Sequence, residues 1–280
     1  MPLTPLYANR MTSCRTQHLE LEKADKASFD AYVSSFPRSG NTWVRKVLSD
    51  YALLAMGREP GSIHQDTMIP DIHVHDVTSH AFPDGIPYKC VKSHAEQTPF
   101  SAHALIHVVR RPEDALVSFF HFHNRYPALR QLVEHVSIDD FCLVAVQDWI
   151  RNACLGLNAS GNRKDMFLIT YETLSRKTFF SFFCILKFLG VQVDESNLEQ
   201  ALANNDFQTL QAREKRMLSP QHQGELFFRK GRIGSGKQEL QQETLKIMAR
   251  LTSDLYASIH EREQRMLTNI GKTFETAPQN

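Results

Sequence analysis

Nine consecutive residues, Ser35-Phe36-Pro37-Arg38-Ser39-Gly40-Asn41-Thr42-Trp43, join an apolar run to a helical pattern and have the makings of an anion cradle. The amides at a helix N-terminus lack partners and carry the positive end of the dipole, so phosphate or sulfate binds there readily. Gly40 permits close backbone approach, Ser39, Asn41 and Thr42 offer short polar side chains, and Arg38 adds a permanent charge with fork geometry. A plain N-cap and turn would explain a lone Ser-Gly pair. It does not explain Arg, Ser, Gly, Asn, Thr and Trp together within six residues of one junction. The loop is not of the G-x-x-x-x-G-K-[ST] type, because the second Gly and the Lys are missing.

Three other groups of residues could share a site with this loop. Arg110 ends an apolar run and Ser118 follows eight residues later, so a strand end and its helix could point at one anion. Arg229-Lys230-Gly231-Arg232-Ile233-Gly234-Ser235-Gly236-Lys237 is basic and glycine-rich; two adjacent cations beside a flexible Gly suit a doubly charged phosphate, although a solvated basic turn reads the same way in isolation. Lys92-Ser93-His94 lies at the C-terminal end of another apolar run, the edge of a sheet where sites form. With 13 His in the chain, position and neighbours single out His94, since a lone His proves little. His64, His73, His75 and His80 raise a metal site, with His73 and His75 on one face of an extended segment. Without a Cys pair or an HExxH helix, no metal is expected, and loop surface or the lining of a substrate pocket is the better reading.

The elements that must position these groups are legible in outline. Apolar runs at Phe29 to Ser35, Tyr88 to Lys92, Leu105 to Val109 and Phe167 to Tyr171 are bounded by polar or turn residues, with helical patterns or long connections between them. That is the pattern of an α/β fold with a central parallel sheet flanked by helices. Val44, Val47, Leu48, Tyr51 and Leu54 recur at helical spacing up to Gly57, a natural C-cap. Pro112 suits a first helical turn, with Glu113 and Asp114 in the favourable acidic position. Leu245, Met248, Leu251, Leu255 and Ile259 form the packing stripe of a long charged helix, and Phe179 to Leu189, too short to span a bilayer and carrying Lys187, reads as a buried helix. The segment 57–87, rich in His, Asp, Pro and Gly, is long for a connection and is the candidate acceptor-binding loop.

Bulk composition sets limits on the class. The 280 residues suffice for one substantial core and no linker divides them, so a single domain over 1–280 is expected, with the first ~25 residues peripheral. A net charge of +1 gives no global signal for nucleic acid or an anionic membrane. Five scattered cysteines without CxxC pairing suit a reducing compartment, and no signal-peptide pattern is visible, so the expected location is cytoplasmic.

The loop at 36–43 resembles the Tyr-Pro-Lys-Ser-Gly-Thr-Thr-Trp loop of sulfotransferases that use 3′-phosphoadenosine 5′-phosphosulfate (PAPS), with Arg38 in place of Lys and Asn41 in place of Thr. The resemblance implies the P-loop-like nucleotide-binding fold of that family, PAPS as donor, and 3′-phosphoadenosine 5′-phosphate (PAP) as product. It places Arg38, Ser39, Gly40, Asn41 and Thr42 at the 5′-phosphosulfate and Trp43 against the adenine. The pair Arg110 and Ser118 is similar to the family's contacts to the 3′-phosphate, whereas Arg111 matches no such role and reads as a surface or packing residue. Arg229, Lys230 and Gly231 resemble the family's Arg-Lys-Gly-x-x-Gly-x-Trp-Lys element, also on the 3′-phosphate, with Gly236 standing where that pattern has Trp. Tyr171 and Phe207 resemble residues at the base, and Asn205 a polar contact.

Lys92-Ser93-His94 resembles the family's Lys-Thr-His, which implies His94 as general base, with Lys92 and Arg38 stabilising charge during direct in-line transfer. The acceptor implied is a small organic molecule with a hydroxyl or amine. A homodimer is compatible with the resemblance, but Gln241 and Gln242 fall where its dimerisation pattern has Thr-Val. Two other readings compete. A small-molecule kinase of P-loop-like architecture needs the Lys that the only candidate loop lacks. A non-catalytic nucleotide-binding module leaves Lys92 and His94 unexplained.

Overall fold

The computed structural model describes residues 23–24, 27–94, 104–158, 166–218 and 226–275. The N-terminal segment read as peripheral lies almost wholly outside the described residues. Four parallel strands, β1 (Ala31–Ser35), β2 (Cys90–Ser93), β3 (Ala104–Val109) and β4 (Met166–Thr170), form a sheet in the order β2-β1-β3-β4. Strands alternate their side chains between faces, and the core divides accordingly. Tyr32, Leu105, Val109 and Leu168 face α3 (Pro112–Arg125), which the short α4 (Pro127–Arg130) follows, α5 (Ile138–Asn158) and the long α10 (Gln242–Glu275); Leu116, Trp149 and Met248 are buried there. Ala31, Val33, Ile106, Val108, Phe167 and Ile169 face the opposite layer. That layer holds α1 (Asn41–Ala55), α7 (Thr178–Phe188) and α8 (Glu195–Asn204), which bury Val47, Phe182 and Leu198.

Local chemistry explains the ends of the elements. α1 stops in a Schellman turn: Gly57, at φ 67°, donates to the Leu54 carbonyl (2.9 Å) and Arg58 to that of Leu53 (2.8 Å). Pro112 opens α3 as expected. The fourth apolar run ends one residue early. Thr170 accepts the Thr173 N–H on its hydroxyl and so caps α6 (Tyr171–Arg176), making Tyr171 the first residue of a helix and not the last of a strand. Tyr88 precedes β2 but is buried, its hydroxyl donating to the Leu48 carbonyl at 2.5 Å.

On α10 the stripe shifts after Met248. Leu251 is 51% exposed and Thr252 takes the buried position, four residues on from Met248. Further along, the fully buried Glu263 carboxylate accepts from the Thr170 N–H (2.6 Å) and hydroxyl (3.0 Å), fixing the end of β4. α7 is the buried helix expected at Phe179 to Leu189, with Phe180 turned outward. No helix among the described residues is long and apolar enough to cross a membrane.

The segment 57–87 is docked to the fold. It contains the short α2 (Gln65–Met68), and buried Arg45 on α1 donates to the Ile69 carbonyl (3.1 Å) and pairs with Asp66. Next, Pro70 accepts the Lys92 N–H (2.7 Å) and Ile72 donates to the Lys92 carbonyl (3.1 Å). Pro70 to Ile72 thus bridge in the parallel sense to Lys92 at the β2 edge of the sheet.

Candidate nucleotide and transfer site

A cavity of about 610 Å³ opens at the C-terminal ends of the strands, where parallel sheets place their sites. Of the residues singled out in the sequence, Arg38, Gly40, Asn41, Thr42, Trp43, Lys92, His94, Arg110, Ser118, Tyr171, Phe207, Arg229, Lys230 and Gly231 all line it. Ser39 lies fully buried beneath the loop. Asn205 does not reach the cavity. Its side-chain N–H groups go to Asp50 (2.7 Å) and the Ala201 carbonyl (2.9 Å), so it ties α8 to α1 and its placement as a nucleotide contact is corrected.

The anion loop is built from its backbone. Gly40 is the N-cap of α1, and no side chain caps that terminus, which leaves the amides of the first turn for a ligand. Gly40 sits at φ 106°, and a Cβ there would lie 2.8 Å from the Tyr171 ring, so glycine is required twice over. Asn41 differs from expectation: its side-chain amide donates to the Val33 carbonyl (3.0 Å), which leaves its backbone N–H as the group offered to an anion. Ser39 Oγ, Asn41 Oδ1 and Arg110 Nε are buried without a protein partner. Two of these three can donate, and a bound phosphate oxygen is the kind of group that would satisfy them. The residues present therefore fit a phosphorylated nucleotide.

Arg38 takes up the left-handed backbone (φ 67°), a conformation costly for a side-chain-bearing residue and held here by its contacts. Its Nε donates to Ser118 Oγ (3.2 Å) and its Nη2 to the Phe227 carbonyl (2.6 Å), with the guanidinium 3.9 Å from the Phe227 ring centroid. Burial, reinforced by Arg110, lowers its pKa to about 10, so it remains charged at neutrality. This guanidinium is committed to Ser118 and to the segment before the basic loop, and the catalytic role expected for Arg38 has no support in that arrangement. Arg110 donates to the Arg38 carbonyl (3.0 Å) and lies 4.4 Å from the Tyr171 ring centroid, while the Trp149 indole N–H fixes its own carbonyl (2.9 Å). Arg111 packs over Tyr256, as its reading implied.

Two carboxylates that the sequence reading did not assign hold the basic loop. Asp114, in the first turn of α3, accepts the amides of Gly234 (2.6 Å) and Gly236 (2.7 Å). Glu239 accepts both Arg229 Nη groups (2.9 and 3.2 Å), Lys230 Nζ (2.7 Å) and His121 Nε2 (2.6 Å). Burial alone would raise its pKa, but hydrogen bonds from Arg229, Lys230 and His121 reverse that and bring it to about 2. α9 (Phe207–Met217) adds Gln211, which donates to the Phe228 carbonyl (2.7 Å), and Glu214, which accepts the Phe227 N–H (2.6 Å).

Gly236 explains the missing tryptophan: a Cβ there would fall 2.1 Å from the Glu113 carbonyl oxygen, so no side chain fits. Gly236→Ala is expected to cost about 1–3 kcal/mol by overpacking and to loosen the Arg229–Gly231 loop. Urea unfolding together with nucleotide titration checks both effects.

At the other end of the cavity His94 Nδ1 lies 2.7 Å from the Ser35 carbonyl. A carbonyl only accepts, so Nδ1 carries the proton and the Nε2 lone pair is left free, as a base requires. Burial, then repulsion from Lys92, lowers the His94 pKa to about 3. The folded value is below the unfolded one of ~6.5, so the unfolded chain binds more protons between the two. Stability contributed by neutral His94 is therefore lost as pH falls through that window, and the ring is unprotonated across neutrality. At saturating donor the expected acceptor kcat/KM profile is flat from about pH 8 to pH 6; an acid limb near 6.5 would show a solvated imidazole instead. Lys92 is paired with Asp71 of the docked loop. Burial pushes the Asp71 carboxyl up, but the Lys92 ammonium more than offsets this and the net pKa falls. His73 accepts the His94 N–H on Nε2 (2.9 Å). Among the described residues no cluster suited to a metal ion is present.

Comparison with known proteins follows the same lines. A family model described as a sulfotransferase domain matches residues 29–260. Sulfotransferase 6B1 of Mus musculus is 22% identical over 236 residues, covering 78% of this chain and 73% of the relative. Cytosolic sulfotransferase 13 of Arabidopsis thaliana is 22% identical over 249 residues, covering 75% and 72%. Among solved structures, mouse sulfotransferase SULT7A1 complexed with PAP aligns with a TM-score of 0.61 at 19% identity, over 91% of this chain and 93% of that one. Retinol dehydratase in complex with retinol and PAP gives 0.61 at 18% identity, over 84% and 85%. At such identities the structural likeness speaks for the fold.

Proposed function

The chain belongs to the sulfotransferase family, and from that premise we propose that it moves a sulfuryl group from PAPS to a hydroxyl or amine of a small organic acceptor. The observation that carries this reading is the convergence on one cavity of an uncapped helix N-terminus, two further cationic elements, and a histidine with a free ring nitrogen. A single phosphate would need one cationic site. The spread of Arg110, Arg229 and Lys230 around the cavity suits a donor with phosphate at both ends.

The donor supplies an activated sulfuryl group on its 5′-phosphate. The chain's own part is to position, to neutralise charge and to take a proton. Amides of the first turn of α1 face the 5′ end, and Lys92 adds positive charge where the leaving phosphate gains negative charge. Ser118, Arg110, Arg229 and Lys230 hold the 3′ end, with Arg38 ordering Ser118. Trp43, Tyr171 and Phe207 line the space for the base. His94 Nε2 takes the acceptor proton as the new S–O bond forms and the bond to the nucleotide breaks, so PAP leaves and the sulfated acceptor is released. Each group is fixed by the fold before substrates arrive, and orientation supplies much of the acceleration.

Calorimetric titration with PAP and with adenosine 5′-monophosphate tests the two-phosphate reading. PAP should bind at least about a hundredfold more tightly, since charge-assisted hydrogen bonds to the 3′-phosphate contribute ~1.5–3 kcal/mol apiece. Equal affinities would sink it.

A further inference from the structure

The docked stretch of the long loop repeats the spacing of the catalytic strand end. Asp71 is the backbone partner of Lys92 in a parallel pairing, and paired residues project to the same face. Beyond this bridge the loop turns, Val74 and His75 donating to the Asp71 carbonyl (3.0 and 2.8 Å), and the turn brings the His73 ring to His94 at the end of β2. The Asp71 carboxylate meets the Lys92 ammonium, with only 12% and 14% of the two side chains exposed, and its other oxygen accepts the His73 N–H at 3.1 Å. His73 in turn accepts the His94 N–H, and the two imidazoles lie parallel with centroids 6.3 Å apart. Asp71 and His73 of the loop thus hold Lys92 and His94 at the strand end.

From this we infer that Asp71 is a positioning residue for the transfer reaction, its carboxylate holding the Lys92 ammonium beside His94 at the transfer end of the cavity. A lysine side chain has four rotatable bonds and three donors and is a poor point of fixed charge unless something holds it. Asp71 does not line the cavity, whereas Lys92 and His94 do, so Asp71 acts through Lys92. The same arrangement makes the loop read as an acceptor segment part of the catalytic assembly, since its edge pairing delivers the carboxylate.

The inference rests on the sulfuryl-transfer reading, and a double-mutant cycle separates the two. Asp71→Asn in the full chain should lower kcat at saturating donor and acceptor about tenfold to a hundredfold, the range expected when a catalytic group is misplaced by an ångström or so. Acceptor KM and PAP affinity should stay within about threefold, and Asp71→Glu should recover part of the loss. In a Lys92→Met background the same Asp71→Asn change should alter kcat by less than about twofold. An equal loss in both backgrounds, or a loss confined to acceptor KM, overturns the inference, because Asp71 would then be shaping the loop without Lys92. Should the wild-type chain transfer to no acceptor, the sulfuryl-transfer reading fails. The four melting temperatures would still report whether Asp71 and Lys92 act as a pair, and additive effects there would overturn the pairing itself.

Discussion

His94→Ala should lower kcat about a hundredfold to ten-thousandfold, the span typical of a general base, while PAP binds with unchanged affinity. The separation follows from where the ring sits. Its Nδ1–H is committed to the Ser35 carbonyl, its backbone N–H goes to His73, and the free Nε2 belongs to the transfer end of the cavity. The groups proposed for the phosphates lie on other elements: the hydroxyl of Ser118 on α3, and the cations Arg110 after β3 and Arg229 and Lys230 before α10. Removing the imidazole therefore removes a proton acceptor and leaves the nucleotide cradle whole. His94→Gln is a useful companion, since it keeps bulk and polarity near Ser35 without supplying a base of similar strength. Single-turnover measurement of the sulfated product, alongside calorimetry with PAP, gives both numbers. Near-normal turnover of His94→Ala would remove the histidine from the mechanism.

Arg110→Met should weaken PAP by about thirtyfold to a hundredfold, or ~2–3 kcal/mol, the worth of charge-assisted hydrogen bonds in a dehydrated setting. Adenosine 5′-monophosphate should be affected far less. Arg110 is 7% exposed, its Nε is without a protein partner, and its guanidinium already orders the anion loop through the Arg38 carbonyl. Arg229 and Lys230 are bound up with Glu239, so the charge they offer a phosphate is partly offset in the chain itself. Arg110, without such a carboxylate among its hydrogen bonds, should carry the larger share of 3′-phosphate selectivity. Arg110→Lys should recover only part of the loss, because an ammonium keeps the charge but not the fork. Equal weakening of both nucleotides would place Arg110 in the support of the loop alone.

What could be read from the sequence was mostly what depends on local pattern. Alternating buried residues such as Tyr32 against Ala31 and Val33 make a strand recognisable, and a strand followed by Pro-Arg-Ser-Gly-Asn-Thr makes an anion loop recognisable. The limits appear where a side chain's partner is distant in sequence. Asp114 looked like a helix-dipole residue, but its two amide partners lie at 234 and 236. Glu239 carries no local signal in the sequence, and only the fold brings His121 to it. Asn41 and Asn205 were read as ligand contacts by type, yet Val33 and Asp50 claim their amides. Tyr171 continues the apolar run in sequence, but Thr170 caps a helix there and ends the strand. Leu251 fitted the helical period but lies outward, since α10 packs through Thr252 at the turn where hydroxyl and backbone can bond: Thr252 Oγ1 donates to the Met248 carbonyl at 2.8 Å. One signal lies in the spacing: Asp71-Ile72-His73 matches that of Lys92-Ser93-His94, and the parallel bridge sets the acid Asp71 against the base Lys92.

The most direct test of the account is incubation of the full chain with PAPS radiolabelled on the sulfuryl sulfur, pooled phenols, alcohols and amines, and excess chelator. The predicted result is label appearing in an organic acceptor with PAP formed in equal amount, undiminished by the chelator and at least about a hundredfold slower in His94→Ala. Tight binding of PAP with no label transferred to any acceptor, or transfer that stops when divalent metal is removed, would contradict it.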